Sequence, residues 1–406
     1  MFHFLAPAGI PISTGDLFRV AISSSGAESG ANRFAEQVAS LIGVEHAYHF
    51  GSGRASLAVI LQALSEMDSG KRTEVVIPAY TCFSVASSVV KSGLKVRLCD
   101  IEPETLDYRY EDLEASDLSD VLAVAGCSLF GLPCDWNRLQ VLKEKQGLHL
   151  IDDAAQAFGI AHDLTLAGSR GDIGFFSFGR GKNITTWSGG VAVTNNREIA
   201  SAMESCVQKL EKSRTHGSLS ILSRLFAYGI LLRPRLYWIP NSLPFLGLGE
   251  TVFDPEFEVS LMGELQGKLG LMMFSRVGML NSIRAGVAQQ LIDGLSGVNG
   301  ITIPGGSNSD IVPYLRLPVL LDSRELRDEA MQRMKKSGIG CSKMYPSPIN
   351  EIPGISRHIS NPDDAFAGAR QVADRLITLP THPYVTDKHI KTMIQTLCDL
   401  LNRGSE

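Results

Sequence analysis

Two short blocks of this chain hold the side chains of an amine and carbonyl chemistry. Ile151-Asp152-Asp153-Ala154-Ala155-Gln156 sets a carboxylate at the end of an apolar run. Phe175-Phe176-Ser177-Phe178-Gly179-Arg180-Gly181-Lys182-Asn183 sets a hydroxyl and an amine at the end of another. An acid for a pyridine nitrogen, a donor for a phosphate and an amine for an aldehyde are the three groups that pyridoxal 5′-phosphate requires of a protein. In an open parallel sheet the carboxyl ends of the strands are where ligands collect. Asp153 at such an end can stay ionised against a pyridinium, each group stabilising the charge of the other. Lys182 lies in a glycine-bearing turn, where a partly desolvated amine near a cation has the depressed pKa that suits Schiff-base formation and proton shuttling. Ser177 alternates with Phe176 and Phe178, so it points away from the two rings and can donate to phosphate.

Each of these residues also has an ordinary reading. An Asp after a strand often caps the next helix, a part that falls more readily to Asp152. Most lysines are solvated, and a serine among phenylalanines can be a buried structural residue. A third block, Ser52-Gly53-Arg54-Ala55-Ser56, stands between a β-like run, His46 to Phe50, and a helical pattern. Backbone N–H groups there would open a helix N-terminus, a ready phosphate site; alone, a glycine between strand and helix is an ordinary turn. His46 and His49 lack a carboxylate or cysteine companion at metal spacing, so no metal site is expected. Neither a nucleophile elbow nor a Walker-type loop occurs.

The elements that must position these groups are legible as a rhythm. From about residue 40 to 200, β-branched runs alternate with helical patterns, as in successive strand and helix crossovers. Strands are predicted at Glu74 to Pro78, Lys95 to Asp100, Val121 to Cys127, His149 to Asp153, Asp172 to Phe178 and Gly190 to Thr194, forming one mostly parallel sheet. Helices are predicted at Arg54 to Glu66, Phe83 to Lys91 and Trp136 to Lys145. After Gly263 long amphipathic helices and two short β-like runs follow, Ile311 to Leu321 among them, as in a smaller α+β domain. The chain therefore divides into a large unit, 1–262, and a small C-terminal α+β unit, 263–406, with Gly263-Glu264-Leu265-Gln266 opening the joining helix.

An apolar excursion interrupts the rhythm at about 217–253, with Leu231-Leu232-Arg233-Pro234 and Leu243-Pro244-Phe245-Leu246-Gly247-Leu248-Gly249. It has no uninterrupted apolar span of ~20 residues, which rules against a transmembrane helix. Burial at a subunit contact is the favoured reading, and a platform on a membrane or a lipid-linked substrate the other.

Composition excludes several classes. With 406 residues, 44% of them hydrophobic and 20% charged, the chain has ample core for a globular fold. A net charge of −5 without a basic block gives no nucleic-acid footprint. Seven cysteines without paired spacing argue against a disulfide framework. Met1 to Pro7 is short, broken by proline and without a basic leader, so no secretion signal is expected, and the cytoplasm is the expected compartment.

Taken together and in order, these blocks resemble the DegT/StrS family of sugar aminotransferases, pyridoxal-phosphate enzymes of the aspartate-aminotransferase fold (fold type I). The likeness runs from about Asn32 to Leu400. It is carried by Ser52-Gly53, Pro78-Ala79-Tyr80-Thr81, Asp152 to Gln156, Gly171 to Asn183 with Gly-Asp-Ile-Gly-x-Phe-Ser-Phe and Lys-Asn, and Gly189-Gly190 before Thr194-Asn195. Met344-Tyr345-Pro346-Ser347-Pro348 and Ala373 to Pro380 are similar to its small-domain signatures. The resemblance implies an α/β fold with a large, mostly parallel sheet domain and a smaller α+β C-terminal domain. It implies that Lys182 forms the internal aldimine and that Asp153 pairs with the pyridine nitrogen. It implies further that Gln156 lies against the ring and its phenolic oxygen, and that Ser177, with Ser52, Gly53 and Arg54, holds phosphate. Lysine at 182 separates the chain from the related sugar dehydratases, which carry histidine there.

Four departures fall on the substrate and dimer side. Cys82, with Phe83 beside it, stands where the family stacks an aromatic residue on the cofactor. Glu258-Val259-Ser260-Leu261-Met262 replaces a Gly-x-Asn-x-Arg loop that reaches a neighbour's phosphate. Asn350 replaces a histidine, and Ser188 an acidic residue. The expected activity is transfer of an amino group from an amino acid, glutamate foremost, to a nucleotide-linked keto-sugar by a homodimer. The alternatives are a lipid-linked or non-sugar ketone as acceptor, or a pyridoxal-phosphate-binding regulator without turnover.

Overall fold

In the computed structural model the described residues are 3–23, 29–210, 218–243, 251–306 and 311–402. The strands are β1 (His46–Phe50), β2 (Glu74–Pro78), β3 (Lys95–Cys99), β4 (Val121–Cys127), β5 (His149–Asp153), β6 (Ala161–His162), β7 (Thr165–Leu166), β8 (Ile173–Ser177), β9 (Gly190–Thr194), β10 (Ile301–Thr302), β11 (Leu317–Leu321) and β12 (Leu376–Leu379). The helices are α1 (Thr14–Ile22), α2 (Gly30–Ile42), α3 (Gly53–Met67), α4 (Phe83–Lys91), α5 (Tyr110–Ala115), α6 (Trp136–Gln146), α7 (Arg197–Lys209), α8 (Ser218–Leu231), α9 (Trp238–Asn241), α10 (Glu264–Phe274), α11 (Val277–Leu295), α12 (Arg324–Lys336), α13 (Ala367–Arg375) and α14 (Asp387–Asn402).

Seven strands form the main sheet in the order β1-β9-β8-β5-β4-β2-β3. Pairing is parallel from β8 through β3 and antiparallel at β8/β9 and β9/β1. β2, β4 and β9 are buried along their whole length, as strands covered by helices on both faces must be. Register decides where the chemistry falls. Cys127 of β4 is level with Asp153 of β5, and Asp153 with Phe175 of β8. The carboxyl ends of β4, β5 and β8 thus share one edge, the place where a parallel sheet leaves a crevice.

The two faces of the sheet bury different sets of side chains. Phe175 faces one core with Leu57, Ile60, Leu61 and Val85. Phe176 and Phe178 face the other, in edge-to-face contact with Phe158 at ring separations of 5.1 Å. The opposite parity of Ser177 leaves it out of the aromatic cluster.

β10, β11 and β12 make a second, antiparallel sheet. The expected pair of short runs is corrected to three strands. Of the run Ile311 to Leu321, only Leu317–Leu321 pairs, because Leu315 N–H donates instead to the Phe130 carbonyl and Tyr314 N–H to that of Val312. Leu5 bridges Ile339, and His382 Nε2 lies 2.8 Å from the Ala6 carbonyl, so the N-terminal residues are stitched to the C-terminal part of the chain.

The excursion at 217–253 contains α8 and α9; the run from Pro244 to Gly249 lies outside the described residues. Leu225 and Leu232 are buried, and the Tyr228 hydroxyl accepts from Ile10 N–H at 3.0 Å. Ile230, Ile239 and Leu243 are exposed. Among the described residues no helix is long and apolar enough to cross a membrane.

Candidate active site

A cavity of about 1060 Å³ opens over the carboxyl ends of β4, β5 and β8, at the large end for a small-molecule site, roughly 1,000 Å³. Ser52, Gly53, Arg54, Cys82, Asp153, Gln156, Ser177 and Lys182 all line it. The sequence spread these residues over 131 positions; the shared sheet edge brings them together. Phe83 does not line the cavity. It is buried on α4, its ring stacked 6.2 Å from that of Tyr345.

The phosphate candidates depend on two glycines. Ser52 caps α3, its hydroxyl accepting from Ala55 N–H, which leaves earlier first-turn N–H groups free of intrahelical acceptors. A Cβ on Gly53 would stand 2.7 Å from Ser177 Cβ and 2.9 Å from its Oγ. A Cβ on Gly190, opposite Ser177 in β9, would stand 2.6 Å from the Ser52 carbonyl. Only with both side chains absent can the helix end close on the Ser177 hydroxyl to make an anion cradle. The Arg54 guanidinium turns elsewhere, onto Asp254 at 3.3 Å and over the Phe257 ring at 4.6 Å. Of Arg54, the backbone belongs to the cradle.

Asp153 is buried, with Oδ1 accepting from Ala155 N–H at 3.0 Å and Oδ2 3.7 Å from Cys127 Sγ. Burial pushes its pKa up, opposed by the Ala155 N–H and by the Lys182 charge. A cationic ring nitrogen beside Oδ2 would restore the ionised form. Asp152 does not cap a helix, since the chain turns after β5; its Oδ2 instead accepts from Gly168 N–H at 2.6 Å and Arg170 N–H at 3.2 Å. Fully buried, Asp152 is pushed up to about 7. The doublet is resolved: Asp152 holds the 168–170 loop and Asp153 faces the cavity.

Lys182 follows Gly181, whose φ of +77° turns the chain back over the sheet edge. Burial holds its pKa below the usual lysine range, opposed by Cys82 and Asp153 and reinforced by Arg316. A larger share of neutral amine is what a nucleophile at an aldehyde requires. Gln156 is held at both ends, its Oε1 accepting from Phe130 N–H at 3.2 Å and its Nε2 donating to the Tyr345 hydroxyl at 3.1 Å. The second amide N–H of its Nε2 is available for a ligand oxygen.

Sequence reasoning passed over several lining residues: Ser128, Arg316, Cys341 and, as a cavity group, Tyr345. Ser128, at the end of β4, has a buried hydroxyl without a partner. Only the strand-end position signalled Ser128, and nothing local signalled Arg316. Trp187 sits at φ +75° under the Arg180 guanidinium, 4.7 Å from its ring centre.

Donor set and geometry fit pyridoxal phosphate: a helix-end cradle with a hydroxyl, a buried carboxylate and a buried amine around one cavity of sufficient volume. Comparison with known proteins agrees in kind. The model of the "DegT/DnrJ/EryC1/StrS aminotransferase family" matches residues 21–236 and 242–398. An L-glutamine:2-deoxy-scyllo-inosose aminotransferase of Streptoalloteichus tenebrarius is 36% identical over 179 residues, 44% of this chain and 42% of that protein. The GDP-perosamine synthase of Vibrio cholerae is 25% identical over 373 residues, 91% of this chain and 90% of that one. The solved structure of Helicobacter pylori PseC, an aminotransferase involved in the biosynthesis of pseudoaminic acid, superposes with a TM-score of 0.79 at 18% identity, covering 98% of this chain and 100% of that one.

Proposed function

The chain belongs to the DegT/DnrJ/EryC1/StrS aminotransferase family, and from that premise we propose that it uses pyridoxal phosphate to move an amino group from an amino acid, glutamate foremost, to a nucleotide-linked keto-sugar. The observation that carries this is the buried Lys182 amine sharing one cavity with Asp153 and Ser177. When bound, the cofactor supplies an electron sink and a carrier for the amino group. The N–H groups at the start of α3 and the Ser177 hydroxyl would bind its phosphate. Asp153 would face the ring nitrogen and favour its protonated form. Lys182 Nζ would be the group that holds the cofactor's aldehyde, and as a free amine it would serve as general base and then general acid for the proton on the donor's Cα. Gln156, held by Phe130 N–H and the Tyr345 hydroxyl, would help to orient the cofactor. The large unit 1–262, the small unit 263–406, assembly as a homodimer and a cytoplasmic location belong to the same proposal.

The test is the absorption spectrum with pyridoxal phosphate, wild type beside Lys182→Ala, before and after adding glutamate or glutamine. A visible band that forms and is bleached by the amino acid only in the wild type supports the reading. Failure of the wild type to bind the cofactor would refute it. A second acceptor class, a ketone not carried on a nucleotide, is favoured by the likeness to the 2-deoxy-scyllo-inosose enzyme. Supplying both ketone classes to the aminated enzyme separates the two.

A further inference from the structure

Acidic residues are 43 of the 406 in this chain, yet the stretch from Ser213 to Gly249 holds four arginines and no Asp or Glu. Within it, α8 and α9 have an inner face that is accounted for. Leu225 is buried, and Ile221, Leu222 and Phe226 pack on the same core. A Cβ on Gly229 would stand 2.7 Å from the Ile12 carbonyl, so α8 lies directly on the segment before α1. The outer face differs. Arg224, Arg233 and Arg235 are exposed, as are Ile230, Ile239 and Leu243. Among the described residues no carboxylate pairs with the three arginines. α1, packed against α8, repeats the pattern: Leu17 and Val20 are buried, while Phe18 and Ile22, one turn apart, are 61% and 66% exposed with Arg19 beside them. Large apolar side chains this open to solvent, on adjoining helices and set among cations, mark an interaction surface rather than scattered exposure.

The combination selects the partner. Arginines alone would suit any polyanion; isoleucine, leucine and phenylalanine among them suit a surface with hydrocarbon beneath its negative charge. A second copy of this chain fits less well, because a two-fold contact through the patch would set arginines against their own images. The same helices border the cavity. The Tyr228 ring of α8 meets that of the cavity-lining Trp187 edge to face at 6.2 Å, and Tyr237, one residue before α9, neighbours Arg316. We propose that the outer faces of α1, α8 and α9 seat the protein on an anionic phospholipid surface, lying on it rather than crossing it.

The test is flotation of the full chain with vesicles of phosphatidylcholine alone or mixed with phosphatidylglycerol, at low and at raised salt. Wild type is expected to bind the anionic vesicles roughly 100-fold more tightly, three arginines contributing about fivefold each, and to weaken as salt rises. The triple variant Arg224→Gln, Arg233→Gln, Arg235→Gln should lose this preference. The triple variant Ile230→Ser, Ile239→Ser, Leu243→Ser keeps the charge and should bind about tenfold more weakly or worse. All six side chains are exposed, so melting temperatures should stay at the wild-type value; if a triple variant does not fold, Arg235→Gln alone should still lose about fivefold. Equal binding of wild type to both kinds of vesicle, or an arginine variant that binds as tightly as wild type, would overturn the proposal. Light scattering of the same proteins decides the other occupant. A wild type that ignores vesicles, with variants that lose a dimer it forms, would make the face a contact between copies and overturn the proposal as well.

Discussion

Acid should loosen the wall of the cavity through His382. This side chain is buried, its Nε2–H donating to the Ala6 carbonyl at 2.8 Å while Nδ1 accepts from Tyr384 N–H at 3.3 Å. Pro7, the next residue, lines the cavity. Burial is the chief cause that holds the pKa of His382 down at about 4, against an ordinary value of 6.5; the Ala6 carbonyl opposes it and nearby Arg284 and Arg316 reinforce it. The folded value lies below the unfolded one, so above 6.5 neither state takes a proton and the full stability is present. As pH falls below 6.5 the unfolded chain is protonated first, and stability declines until about pH 4. The interval from 6.5 to about 4, at about 1.4 kcal/mol per pH unit, sets a loss of about 3 kcal/mol. The assay is urea unfolding of wild type and His382→Gln at half-unit steps from pH 7 to 4. His49 and His149 are also lowered by burial and contribute to both proteins, so the difference between the two curves isolates His382. Wild type is expected to lose about 3 kcal/mol more than the variant across this range. A difference that stays flat, or an imidazole resonance of His382 titrating near 6.5 in the folded protein, would refute the reasoning.

Other expectations concern the site and its supports. Gly53→Ala forces a Cβ to within 2.7 Å of Ser177, and overpacking of about 1–3 kcal/mol should weaken pyridoxal phosphate binding about tenfold or more; an unchanged spectral titration would count against the cradle. Tyr345→Phe removes the hydroxyl that accepts from Gln156 Nε2 and is expected to slow the donor reaction about fivefold, the worth of one hydrogen bond, as stopped-flow spectra would report. Arg276 donates to both oxygens of Asp16, at 2.9 and 2.7 Å, and this pairing is the chief cause that lowers Asp16 to about 2 from 3.8. The folded value is depressed, so the pair stabilises fully above 3.8 and is lost as pH falls through about 2. Melting temperatures of Asp16→Asn should therefore lie below wild type at pH 7 and converge with it as pH drops from 4 to 2.

Much of the frame was legible because the information is local. β2, β4, β5 and β9 carry the bounds read from sequence, since each is a short apolar run closed by a turn or a capping residue. α4 begins at Phe83 and ends at Lys91 as its 3.6-residue period requires. Where a boundary slipped, a long-range bond intervened. Asp172 lies outside β8 because its side chain accepts from Leu150 N–H and pairs with Lys143, and 311–316 is drawn from β11 by the Phe130 carbonyl.

By itself, then, the sequence determined the alternating layers, the bounds of β2, β4, β5 and β9 and the candidate set of Asp153, Ser177 and Lys182, because periodicity and motif spacing are properties of neighbours along the chain. Tertiary structure alone decided that Asp152 holds a loop while Asp153 faces the cavity, that Arg54 turns its charge to Asp254, and that Phe83 packs behind Tyr345. It also brought Ser128, Arg316, Cys341 and Tyr345 to the same cavity. These are contacts between segments up to hundreds of residues apart, fixed by sheet register and by the docking of the second sheet, and no local pattern of residue types encodes them.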